Sequence, residues 1–353
     1  MPTTTRDAGT ITSSTDNSWR TVVARYQQTE VWRAVVELVT TLLPIAALFT
    51  LMFVSLAWPY WVTLLLAIPT AGFTVRTFII MHDCAHNSFL PWRVPNDVIG
   101  SITGALTLTP FSQWRRDHAI HHASSGDLDR RGHGDVHTIT VREYLALSPI
   151  DRFKYRCVRH PLALLAVGPI WLIVNQRFRT RGKATKDKQI TSVWGLNLAM
   201  IVAAIVFFAL GVLPEVLLVY GPVIYLAGAA GVFLFYVQHQ FEDTYWEHHE
   251  QWDYAAASIA GSSYLKLPQP LAWLTGHIGL HHVHHIGPKI PNYKLQQAHD
   301  ENPFFHKVTV IRLRDTGRAL RLALWDEETD RLISFGDLKA RSGNSVSRGA
   351  TRL

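Results

Sequence analysis

The sequence predicts an all-α polytopic membrane protein, with four transmembrane helices in two hairpins and a cytosolic helical cap. Three observations carry that expectation. Only 17% of the 353 residues are charged and 48% are hydrophobic, against about 25% charged in an average soluble domain. The mean hydropathy is nonetheless only +0.08, so the apolar residues must be gathered into blocks, with a substantial polar part outside them. The blocks come as two pairs, each pair interrupted by a short turn. The 12 Trp, 16 Phe and 11 Tyr exclude a disordered or collagen-like chain. Two cysteines, Cys84 and Cys157, cannot build a disulfide framework. A net charge of +7 suits nucleic acid or an anionic membrane surface, and the apolar blocks decide for the membrane and against nucleic acid.

Taken in order, residues 1–33 are rich in Thr, Ser, Asp and Arg and read as a polar cytosolic N-terminal segment without a cleavable signal peptide. The first apolar block runs from Ala34 to Ala57, breaks at Trp58-Pro59-Tyr60, and resumes from Trp61 to about Ile80. The second pair runs from Ile190 to Leu213, turns at Pro214-Glu215, and continues from Val216 to about Gln238. Each block is long enough to cross a hydrocarbon core of ~30 Å as a helix. Val98 to Phe111 and Leu162 to Val174 are too short to span and read as interfacial or re-entrant helices. Arg312 to Phe335 is amphipathic and expected on the cytosolic cap, and 340–353 reads as a disordered tail after a single domain over 34–339. No Lys or Arg lies between Arg33 and Arg76, or between Lys188 and Lys266. Both hairpin turns therefore lack positive charge, which places both termini and the central segment in the cytosol of a cell inner or plasma membrane protein.

Histidine is the compositional outlier, with 18 residues, and eight of them fall in three clusters in the cytosolic segments. His82 and His86 form an H-x-x-x-H at the end of the second span. Residues i and i+4 of a helix lie one above the other, so both imidazoles can reach one ion. His118, His121 and His122 follow with i, i+3, i+4 spacing, and His281, His284 and His285 repeat it. One such cluster is ordinary on a helix surface, and a proton relay would sit inside the spans. Three on one membrane face read as a metal site. Eight imidazoles exceed what one zinc ion takes and suit two ions, whereas spacing does not choose among Zn, Cu, Fe and Ni. The Glu-x-x-His pairs of carboxylate-bridged di-iron bundles do not occur in the sequence.

The text around these clusters resembles the integral-membrane fatty acid desaturases, of the bacterial acyl-lipid Δ5/Δ12 (omega-6) type. The resemblance rests on His82-Asp83-Cys84-Ala85-His86-Asn87-Ser88-Phe89, on His118 to His122 followed by Ala123-Ser124-Ser125-Gly126-Asp127-Leu128-Asp129, and on Gly276-His277-Ile278-Gly279-Leu280 leading through the third cluster to Pro291-Asn292-Tyr293. It covers about Trp61 to Phe335. It implies a di-iron centre of two Fe ions, O2 as co-substrate, and a fatty acyl chain carried by a lipid. It also implies His239, at the end of the fourth span, as a ninth ligand. Relatives carry Asn where this chain has His277, so His277 is expected behind the ligands, as is His282, which fills a variable slot of the third box. Asp83, Asp117, Glu242, Asp243 and Asp300 are the carboxylates that could accept a second imidazole N–H. His133, His137, His160, His248, His249, His299 and His306 lack ligand spacing and are expected in solvent.

The expected function is oxygen-dependent desaturation of a fatty acyl chain to a cis double bond. An unactivated methylene has neither an acidic proton nor a leaving group, so acid–base catalysis has nothing to act on. An apolar tunnel between spans and cap would hold the chain, each buried methylene contributing ~0.8 kcal/mol. The sequence carries no nucleotide fingerprint and no cysteine run for an iron–sulfur cluster. His160-Pro161 is not followed by the Gly-Gly of a fused cytochrome b5. A separate electron donor such as ferredoxin with its reductase is therefore expected. Arg115, Arg116, Arg130, Arg131, Lys154, Arg156 and Arg159 could receive it, or bind anionic lipid. Two other readings share these residues: a hydroxylase or ketolase of a lipid or carotenoid, and a non-enzymatic metal-binding or transport protein. Intramembrane ionisable residues would favour the last, yet only Glu37, Arg76 and Glu215 fall in or beside the apolar blocks.

Overall fold

The computed structural model describes residues 18–132, 136–178 and 186–341; His133 and the expected tail from residue 342 onward lie outside the described residues. Helix α1 (Ser18–Ala24) precedes α2 (Val31–Ser55) and α3 (Trp61–His86), which flank the Trp58-Pro59-Tyr60 break. Next come α4 (Arg93–Leu106), α5 (Phe111–Ser124), strand β1 (Ile139–Thr140), α6 (Val141–Ala146), α7 (Pro149–Val158), α8 (Pro161–Ala166) and α9 (Gly168–Phe178). The second long pair is α10 (Asp187–Ala209) and α11 (Leu213–His239). The remainder is α12 (Tyr254–Ala260), β2 (Tyr264–Lys266), α13 (Gln269–Leu274), α14 (His281–Ile286), α15 (Asn292–Glu301), β3 (Val310–Arg312), α16 (Thr316–Ala319), β4 (Leu322–Asp326) and β5 (Arg331–Ser334).

Among the described residues four helices, α2, α3, α10 and α11, are long and apolar enough to cross a membrane. Their roles differ. α3 packs against α2, α4 and α11, and over half of its apolar window is buried, against 6% for α10. Leu198, Ile201, Ile205 and Phe208 of α10 all point outward; an apolar surface of that extent is what lipid covers. α3 ends at His86 because Asn87 takes the left-handed conformation, φ 54°. The N–H groups of Asn87 and Ser88 then close on the Cys84 and Asp83 carbonyls, the usual device for ending a helix. Gly100 lets α4 lie against α3, since a Cβ there would stand 2.3 Å from the Phe111 ring and 2.9 Å from Cys84. That contact sets where α5 begins.

The main core sits directly under the third histidine cluster. Val75 and Ile79 of α3, Val237 of α11, Leu280, Val283, Ile286 and Ile290 around α14, and Leu295 of α15 are all buried in it, each worth ~1.5–3 kcal/mol of apolar burial. Val23 and Tyr26 join it too, so residues 18–27 of the polar N-terminal segment are docked onto α15. Lys294 secures the same strap, donating to the Gln28 carbonyl and pairing with Glu30 at 2.7 Å.

Two local expectations are corrected and one is refined. The turn placed at Pro214-Glu215 falls at Leu210–Val212, where Gly211 has φ 72°. Pro214 and Glu215 instead open α11, as a residue without N–H and an acid both suit a helix N-terminus. The short apolar stretch Leu162–Val174 is two helices, α8 and α9, whose Leu162, Ile170 and Trp171 are exposed. The amphipathic stretch Arg312–Phe335 is largely strand and turn rather than part of a helical cap. β4 pairs with β1 in parallel and β5 in antiparallel, and β2 pairs in parallel with β3. Every residue of β4 is buried, so Leu322-Ala323-Leu324-Trp325 has no polar face for a helix to present.

Candidate metal centre

The three boxes converge. His82 and His86 stand on the last turn of α3, His118, His121 and His122 on α5, His281, His284 and His285 on α14, and His239 ends α11. Their ring nitrogens form two groups, each with all ligand atoms within 4.8 Å of one another. One holds His82, His86, His118, His122 and His284; the other holds His121, His239, His281 and His285. Helical phase does the sorting. Residues i and i+4 face the same group (His82/His86, His118/His122, His281/His285), while His121 and His284 cross to the other one.

The nitrogen contacts test whether metal ions fit. In the five-histidine group Nε2 of His284 lies 3.0 Å from Nε2 of both His82 and His122, and His122 Nε2 lies 3.1 Å from His118 Nε2. In the four-histidine group His239 Nε2 lies 3.2 Å from His121 and 3.0 Å from His281, whose Nε2 is 3.2 Å from His285. A ring nitrogen has one in-plane valence, either a hydrogen or a lone pair. It serves one hydrogen bond, so three contacts in series cannot all be N–H···N bonds. Nitrogens at ~2.1 Å from a shared ion stand roughly 3.0–3.4 Å apart, which matches. His86 Nε2 is also buried without a partner.

Burial pushes the imidazoles of His118, His121, His122, His281, His284 and His285 well below the usual histidine range, and their mutual proximity lowers them further. They are held neutral, the form that offers a lone pair to a metal. Behind them, His82 Nδ1 donates to Asp83 Oδ1 at 3.1 Å and His239 Nδ1 to the Gly261 carbonyl at 3.1 Å. The Trp114 indole stacks on His118, with centroids 4.3 Å apart.

The other expected carboxylates are engaged elsewhere. Asp117 accepts from Gln113, Glu242 pairs with Arg318, Asp243 with Arg331 at 3.3 Å, and Asp300 accepts from Gln296. His282 is buried, with Nε2 3.3 Å from His299 Nδ1, and lies outside both groups, as does His277. His277 has φ 54°, a conformation that Asn and His tolerate better than most side chains. His248 and His249, expected in solvent, pair with Asp129 and with buried Asp127, at 3.1 and 2.8 Å. Several cations expected on a docking surface are held by the protein itself. Arg159 is buried and donates to Gln240 and the Leu322 carbonyl, Arg115 pairs with Asp97 at 2.6 Å, and Arg131 forms a fork with Glu143. Sequence reasoning missed Asn292, which contacts Asp83, and Trp114; an indole one helical turn before His118 was the available signal. Glu37 and Arg76, the ionisable residues noted in the apolar blocks, pair with each other.

Four apolar helices of spanning length, with nine imidazoles, seven of them buried, in two groups that could each hold an ion, define a membrane-protein class with a candidate histidine-held metal centre. The profile of the fatty acid desaturase family matches residues 56–310. A fatty acid desaturase of Bacillus subtilis is 42% identical over 318 residues, 90% of each chain. An sn-1 oleoyl-lipid 12-desaturase of Synechocystis sp. is 28% identical over 66% of this chain and 67% of its own length. A chloroplastic omega-6 desaturase of Arabidopsis thaliana is 26% identical over 71% of this chain and 56% of its own. The chain belongs to the fatty acid desaturase family.

Proposed function

We propose that this desaturase introduces a cis double bond into a saturated or monounsaturated, lipid-linked acyl chain, using dioxygen and two iron ions. One ion would be held by His82, His86, His118, His122 and His284, the other by His121, His239, His281 and His285. The observation that carries the reading is the sorting of nine imidazoles into two groups whose nitrogen spacings suit shared cations. Bound there, iron would supply the oxidising power that an unactivated methylene pair demands. The balance is two hydrogens from the acyl chain, two electrons and two protons from outside, and one O2 reduced to two waters.

The chain's own residues do the rest. Burial keeps the ligands unprotonated, and Asp83 and the Gly261 carbonyl fix the tautomers of His82 and His239 by taking their Nδ1 hydrogens. The apolar faces of the spanning helices hold both reacting carbons in register, so that the second C–H stays close to the oxidant after the first is lost. Loss of that register would favour a hydroxyl product. The electrons come from a separate small donor such as ferredoxin with its reductase. The centre and both termini face the cytosol of the plasma membrane, with the polar N-terminal segment over 1–33 and the desaturase domain over 34–339.

The test is mass spectrometry of lipids from cells that lack desaturases and express this chain with a competent donor. A product lighter by two hydrogens is expected. A main product heavier by one oxygen replaces the reading with the hydroxylase alternative, and no change in lipid with metal bound supports a metal-binding protein. A reporter fused after Leu353 that reads as extracytoplasmic overturns the topology.

A further inference from the structure

A line of buried polar groups leads through α2, α3 and α15 to the five-histidine group. Glu37 and Arg76 are 3% and 5% exposed and pair at 3.3 Å. Arg76 also donates to Thr41 Oγ1 at 3.1 Å and to the Trp273 carbonyl, and its guanidinium lies 4.0 Å from the centre of the Trp273 ring. The second Glu37 oxygen accepts from Asn292 Nδ2 at 3.1 Å. The same amide donates to Asp83 Oδ2 at 3.0 Å, and the Asn292 backbone N–H donates to that oxygen at 2.6 Å. Asp83 Oδ1 is left for His82 Nδ1.

Holding two helices together does not require this arrangement, because desolvation commonly cancels the attraction of a buried ion pair. Its geometry does something packing cannot. Two carboxylates, Glu37 and Asp83, are held on either side of one amide, which spends both hydrogens keeping them in place, and Arg76 offsets the charge of Glu37. With Oδ2 pinned twice at the N-terminus of α15, where the helix dipole favours an anion, the Asp83 carboxylate cannot rotate, and Oδ1 faces His82. A carboxylate fixed behind an imidazole sets which nitrogen carries the hydrogen and raises the basicity of the other.

We propose that Asn292, oriented by Glu37 and Arg76, is a positioning residue for the ion of the five-histidine group, acting through Asp83 on His82. The inference rests on the di-iron reading above and adds that the two ions are supported unequally: only the five-histidine group has a ligand, His82, linked through a carboxylate to a side chain of α15.

The experiment is Fe²⁺ binding by the full chain purified in detergent, measured by anaerobic equilibrium dialysis for the wild type, Asn292→Ala, Asn292→Ser, and Thr63→Ala as an equally buried control outside the line. The wild type and the control should take up two ions. Both Asn292 variants should bind one ion as the wild type does and the other ~10- to 100-fold more weakly, the usual cost of losing a group that orients a metal ligand. Serine leaves a smaller void than alanine, so it keeps the test open where alanine fails to fold. Two ions at wild-type affinity in either variant, with only thermal stability lowered, overturn the inference and leave the di-iron reading standing. A wild-type chain that takes up fewer than two ions overturns both.

Discussion

The two histidine groups share the second and third boxes, but the first box serves only the five-histidine group and His239 only the four-histidine group. They differ too in what stands behind and beside them. Trp114 stacks on His118, and Asp83 supports His82 with a formal charge. The four-histidine group is supported at His239 by a neutral carbonyl, and a small cavity lined by His121, His239, Ser125, Gly126, Tyr245 and Trp246 adjoins it. A carboxylate raises the donor strength of the imidazole in front of it more than an amide oxygen does. The two groups therefore differ in the charge behind their ligands, and in burial too: His86 and His118 of the five-histidine group are half-buried, whereas all four of the other group are buried.

The largest test removes a ligand from each side. His118→Ala and His281→Ala should each lower desaturation by more than ~100-fold, the upper end for groups that merely orient ligands, and each should cost one iron by elemental analysis. Retained activity in His118→Ala would undo the assignment of the five-histidine group.

Acid should act on both groups together. Burial holds their imidazoles below the usual value, and His282, between the third-box ligands, is pushed down from 6.5 to about 3. Their neutral state contributes stability that is fully present above the unfolded value and is lost as pH falls toward the folded one, because only the unfolded chain takes up the protons. The metal-free chain should melt progressively lower from about pH 6.5 downward, as scanning calorimetry in detergent would record. His248, raised by its hydrogen bond to Asp129, has the opposite sign and loses its contribution as pH rises.

Glycine substitutions should separate the groups. At Gly100 a methyl would strike Phe111 and Cys84, and so press on α3 and α5 beneath the five-histidine group. At Gly126, where φ is 77°, it would meet the Tyr245 carbonyl at 2.9 Å, beside the four-histidine group. Each alanine variant should cost ~1–3 kcal/mol in denaturant melts, with Fe²⁺ lost first from the neighbouring group. The smallest effect belongs to His248→Ala and His306→Ala. Both should leave activity unchanged and stability within about 0.5 kcal/mol, as surface changes do.

Much of this was legible in the sequence because its signals are local. Twenty-odd apolar residues and an i, i+3, i+4 histidine pattern are readable from one stretch of chain, and the four helices and three boxes follow from them. The division into two groups was not legible, since it depends on where α5 and α14 lie against each other. The partners of Asp83 were hidden for the same reason: Asn292 stands 209 residues away. Asp117, Glu242, Asp243 and Asp300 are near the boxes in sequence, but nearby cations and amides claim them. The strand β4 was misjudged because burial on both faces removes the alternation by which a strand is recognised.

His121 and His122 are consecutive on α5 and face different groups, with ring centroids 5.7 Å apart; His284 and His285 do the same on α14 at 5.9 Å. Each pair joins the two groups through a single peptide unit. These two covalent rungs act as a tether. The backbone thus ties each group to the other at two points and limits how far they can move apart.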